Sequence, residues 1–98
     1  MFSFISGEPF VCIRLPEYSS ASFRDLVLDV FHKNIPNLEF ISGESRENLI
    51  LIQMPASQAV IDIIRNSKIW NYFINEGHEL TICVGQMINR RFQFNAVA

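Results

Sequence analysis

Hydrophobic spacing along this chain changes period several times. From Phe10 to Leu15 the pattern alternates, with Val11, Ile13 and Leu15 on one side and Phe10, Cys12 and Arg14 on the other. That is the period of a half-buried strand, with the uncharged Val11 set toward the core and Pro16 as its end. Phe23, Leu26, Val27, Val30 and Phe31 then recur at helical spacing and make one apolar stripe. Ser19, Ser20 and Ser22 are candidate N-caps, Ser22 with Asp25 approximating a capping box. His32 and Lys33 suit the negative end of the helix dipole, and Pro36 closes the segment.

Leu38–Ile41 reads as a short strand, residues 42–48 as polar loop, and Leu49–Met54 as a strand apolar enough for a central position. Ser57 is a candidate cap for a second helix running from Val60 to Ile74. Its stripe breaks at Asn66-Ser67-Lys68, which predicts a bend or a fresh N-cap at Ser67, and Gly77 supplies the C′ position. Alternation resumes at Leu80 and continues through Gly85 toward Phe92 and Phe94. Taken as one strand this is about fifteen residues, beyond the usual five or six, with Gly85 marking a bulge. Residues 1–5 alternate as well, and Gly7-Glu8-Pro9 is a turn signal, so an accessory strand is expected there. The order β-α-β-β-α-β predicts a single α+β domain over residues 1–98 with ferredoxin-like topology. Its antiparallel sheet takes the order 4-1-3-2, two helices cover one face, and the chain ends add strand pairing.

Composition narrows the class. The chain has 98 residues, 49% apolar and 18% charged, so it is a folded chain carrying less charge than the usual quarter. Some apolar surface is therefore expected to be covered by a second chain. A net charge of −2 argues against a general nucleic-acid binder, which needs a basic stripe. No apolar run approaches the roughly 20 residues of a membrane span, and the N-terminus reaches Gly, Glu and Pro too soon for a signal peptide. A cytoplasmic protein with two reduced cysteines is expected.

Candidate chemistry is sparse. No Ser or Cys is spaced with a base as a nucleophile, no HExxH occurs, and the four glycines are scattered, so neither a catalytic residue nor a phosphate loop is expected. Neither cofactor nor metal is expected. The order 4-1-3-2 makes the first and last strands neighbours and places Cys12 and Cys83 on the open face, near enough for a disulfide or a shared metal, or as two small half-buried hydrophobes. RNA-recognition modules share the element order but stack bases on aromatics of the first and third strands. Here the third strand has neither an aromatic nor a Lys or Arg, which leaves Arg90-Arg91 beside Phe92 as the only hint of RNA binding. The stretch Ser67–Phe73 loosely resembles the second-helix region of the dimeric α/β-barrel proteins, some of which are oxygenases. That resemblance implies a precedent for sheets pairing face to face in a homodimer.

Two Phe-x-Phe ends remain. Phe2 and Phe4, and Phe92 and Phe94, each place two rings on one strand face, either completing the core or meeting a partner. The expected function is a non-enzymatic protein-interaction or regulatory module that self-associates. Phe2, Phe4, Phe10, Phe92 and Phe94 form its surface, and Arg14, Arg90 and Arg91 rim it. The alternative is a small-molecule or cofactor site made by Cys12, Trp70, His78 and Cys83.

Overall fold

A computed structural model of the chain describes residues 8–42, 48–89 and 91–97, with Ser42 and Phe92 as backbone. The elements are β1 (Phe10–Arg14), α1 (Ala21–Asn34), β2 (Phe40–Ser42), β3 (Leu49–Pro55), α2 (Gln58–Arg65), α3 (Lys68–Asn75), β4 (Thr81–Ile88) and β5 (Arg91–Ala96). The strands form one sheet in the order β2-β3-β1-β4-β5, every pairing antiparallel. The α+β class expected from the sequence is therefore found. The sheet as a whole does not have the four-stranded ferredoxin-like order, because β5 lies beyond β4. The expected strand at residues 1–5 and most of the polar loop lie outside the described residues.

Each helix starts where a serine can cap it. Ser20 Oγ accepts from Phe23 N at 3.1 Å, Ser57 Oγ from Val60 N at 3.2 Å and Ser67 Oγ from Trp70 N at 3.2 Å. The cap of α1 is thus two residues ahead of the expected Ser22–Asp25 box, and the Asp25 carboxylate instead meets Arg24 at 3.1 Å. The break at residues 66–68 is a true helix end: Ser67 also donates to the Ile64 carbonyl at 2.7 Å, closing α2 while it opens α3. At the far end of α3, Gly77 takes φ +87°, Gly77 N donates to Ile74 O, and His78 N donates to Phe73 O. This is a Schellman motif, and the ring contact between His78 and Phe73 at 5.5 Å is the apolar contact that accompanies it.

The helices cover the sheet side that bears Val11, Ile13, Leu15, Ile50, Ile52, Leu80 and Ile82. Phe31 is the centre of that core, 5.6 Å from the rings of both Phe40 and Phe73 and 6.4 Å from Trp70. Burying a side chain of this size stabilises the fold by about 1.5–3 kcal/mol. Leu26, expected in the α1 stripe, is 59% exposed. It precedes Val27 by one residue and so lies about 100° around the helix from the packed line.

The expected long last strand is a hairpin. β4 ends at Ile88, which pairs with Arg91, and the chain reverses through Asn89 at φ +52°. Asparagine is one of the few side chains that tolerate this left-handed conformation. Nor is Gly85 a bulge. Pairing runs through it without a shift, to Phe10 on one side and Phe94 on the other. Its role is close approach, since a Cβ there would stand 2.6 Å from Phe94 Cδ1. The register irregularity lies instead between β1 and β3, where Phe10 pairs with Pro55 but Cys12 with Leu51.

Candidate functional site

Alternation sends every second residue of these strands to the sheet face away from the helices. On β1 these are Phe10, Cys12 and Arg14. The register puts Cys12 beside Leu51 on β3 and beside Cys83 on β4, and Arg14 beside Leu49 and Thr81. On β5, Phe94 pairs with Gly85, Phe92 with Met87, and Ala96 with Cys83. Phe10, Cys12, Leu49, Leu51 and Cys83 form a second apolar cluster in which every member is 0% exposed, and Ile41 and Phe94 pack against it. The Phe94 ring meets Phe10 edge-on at 6.1 Å and 84°, over the flat surface that Gly85 leaves.

The two cysteines are therefore cross-strand neighbours, as the strand order implied, and both are free thiols. Their protonation is asymmetric. Hydrogen bonding to Cys83 and burial push the Cys12 thiol well above the ordinary range. Hydrogen bonding from Cys12 outweighs burial at Cys83 and, with the nearby Arg14 guanidinium, brings it down to about 7. The Cys83 sulfur also lies 4.0 Å from the Thr81 carbonyl, its donor direction when protonated.

Of the residues expected to face a partner, Phe10 is corrected outright: at 0% exposure it is an internal residue of the second cluster. It packs within the second cluster, with the Phe94 ring of β5 against it. Phe94 is half-buried against the same cluster, so it serves the chain's own packing first. Arg14 is partly exposed on the second face. Arg91 is exposed but pairs with Ile88, which turns it to the opposite face. Phe92 is placed by register beside Met87, while Phe2, Phe4 and Arg90 lie outside the described residues.

The four residues of the expected small-molecule site do not meet. Cys12 and Cys83 are on the second face, Trp70 is buried in the helix-side core, and His78 lies at the α3–β4 connection. His78 does line a cleft of about 390 Å³, together with Pro16, Tyr18, Ser20, Phe23 and Glu79 among others. A neighbouring cleft of about 290 Å³ includes Arg14, Glu17, Glu79 and Thr81. Sequence reasoning missed these walls because two loops far apart in the chain supply them. Among the described residues no group of three or more His, Cys, Asp or Glu could hold a metal, and no helix is long and apolar enough to cross a membrane. Compared with protein-family models, with curated proteins and with solved structures, the chain matches none.

Proposed function

We propose that this protein is a non-enzymatic interaction module, acting as a homodimer through its β4–β5 hairpin. The observation that carries this reading is the apolar character of the hairpin on both faces. Met87 and Phe94 on the second face and Ile88 on the helix side are all partly exposed, and β4 continues for three residues past the point where β1 pairs with Gly85. The low charged fraction supports a second copy as the occupant, since a strand edge and its apolar side chains are a ready surface for another sheet. A regulatory and cytoplasmic role fits this reading, and Arg91 flanks the surface.

The underlying fold we take to be ferredoxin-like with a strand added. Supporting this, β1 to β4 are connected through helical segments on one sheet face in the order β-α-β-β-α-β, the second segment being split at Ser67 into α2 and α3. Sedimentation velocity from low to high micromolar concentration tests the homodimer. The wild-type chain is expected to shift from monomer to dimer, and Met87→Lys and Ile88→Lys to remain monomeric with unchanged circular dichroism. A wild-type monomer throughout would overturn the proposal.

Small-molecule binding has one observation in its favour, the cleft beside His78, whose volume lies within the range of ligand pockets. A compound that stabilises the chain and loses its effect in Tyr18→Ala would favour this second reading.

A further inference from the structure

We propose that Cys12 and Cys83 are a redox pair that closes into a disulfide across β1 and β4. The geometry carries this. The chain has only two cysteines, far apart in sequence, and the fold places them directly opposite one another in an antiparallel ladder. Directly opposed residues have Cα atoms about 4.5 or 5.5 Å apart, and both separations lie inside the span a disulfide bridges, about 4.4–6.8 Å. Both side chains leave the same sheet face, so the bond needs only side-chain rotation and a small closing of the pair, from the usual cross-strand Cβ separation of about 4.5–5.5 Å to the roughly 3.5–4.5 Å a disulfide takes. Leu51, Leu49 and Phe10 share the buried cluster with the pair.

Arg14, next along β1 on the same face, supports the chemistry by favouring the thiolate at both sulfurs. Cys83 is the nucleophile, brought down to about 7 chiefly by hydrogen bonding from Cys12. The oxidant is a peroxide. The Cys83 thiolate attacks one peroxide oxygen, the O–O bond breaks, and hydroxide leaves, taking up the proton released at Cys83. Cys12 then attacks the sulfenic sulfur, the S–S bond forms, the S–O bond breaks, and water departs with the Cys12 proton. Two thiols lose two electrons, and hydrogen peroxide becomes two waters. Because both sulfurs are 0% exposed, the reaction proceeds through local opening of the second face and is slow.

The test is equilibration of the 98-residue chain in glutathione redox buffers, native and in concentrated urea, read by acid quench and intact mass. A bond that fits the folded state is favoured in it over the unfolded chain. For a loop this long the ratio of the two equilibrium constants is expected to be on the order of 10³. Peroxide treatment of the native chain is expected to remove two hydrogens and to raise the melting midpoint by roughly 10 °C or more. A ratio of one or below overturns the proposal. So does native protein that keeps both thiols, or that gains oxygen on one sulfur without the loss of two hydrogens. The mass readouts do not depend on oligomeric state, the melting midpoints are compared at one protein concentration, and no readout needs a variant that must fold.

Discussion

Gly85→Ala is the sharpest probe of the second face. The glycine's backbone conformation is one that alanine adopts freely, so the effect reads space and not strain at φ. An added Cβ would meet Phe94 Cδ1 at 2.6 Å, Phe94 Cε1 at 2.9 Å and the Gln93 carbonyl oxygen at 2.9 Å. The ring must swing off or β5 must step away, and forcing extra volume into packed surroundings costs about 1–3 kcal/mol. Displacing Phe94 also weakens its edge-on contact with Phe10, a further ~0.5–1.5 kcal/mol. Against this, replacing glycine lowers the entropy of the unfolded chain, returning about 0.4–1 kcal/mol. The net expectation is destabilisation by about 2 kcal/mol, which for a chain this short lowers the melting midpoint by roughly 10 °C.

Urea and thermal unfolding followed by circular dichroism measure it, and a double-mutant cycle with Phe94→Ala assigns it. If the ring is the obstacle, the two changes are less than additive by about 1–2 kcal/mol, while the Gln93 carbonyl keeps Gly85→Ala unfavourable even without the ring. An alanine variant as stable as the wild type, or penalties that simply add, would refute the close-packed picture of Gly85 and Phe94.

Three further outcomes follow from the structure. Asn48 is buried, its Nδ2 donates to the Leu15 carbonyl at 2.9 Å, and Asn48→Ala strands that carbonyl, so a loss of about 1–3 kcal/mol is expected in urea unfolding. Ser67→Ala removes the N-cap of α3 and the bond that closes α2, and should lower stability by about 1–2 kcal/mol, with Ser67→Asp recovering the cap. The initial rate of peroxide consumption should rise with pH through about 7, because Cys83 reacts as the thiolate and the Arg14 guanidinium, the charged group facing it, favours that form. Arg14→Gln should move this inflection upward, and a rate flat from about pH 6 to about pH 8 would contradict the assignment of Cys83 as nucleophile.

Much of the fold was legible because its signals are local. A serine ahead of an apolar stripe marks each helix start, and Ser57, Ser67 and Gly77 do what their neighbours in sequence imply. The hairpin was not legible. Asn89-Arg90 lacks the glycine that usually announces such a turn, and Leu80, Ile82, Val84, Ile88, Phe92 and Phe94 all fall on even positions. In a continuous strand Phe92 and Phe94 would share the helix side with Ile82. The turn inverts the parity and carries them to the face of Cys83 and Met87. The neighbouring of the cysteines followed from strand order alone, but their direct opposition depends on register, which alternation does not fix. The cleft at His78 was beyond reach for a different reason: its walls are loops brought together only by the finished sheet.

The placement of β1 has a consequence for the newborn chain. This strand is the first of the described elements to be synthesised, yet it occupies the middle of the sheet, bonded to β3 on one edge and to β4 on the other. Until Thr81–Ile88 has emerged from the ribosome, β1 has at most one partner and the cysteine at its centre faces no counterpart. Nearly the whole chain must therefore be made before the sheet can close, and closing it requires contacts between residues far apart in sequence, the slow kind. During that interval the strand Phe10–Arg14 is an apolar edge without its final neighbour, and folding speed becomes a safeguard against the wrong one.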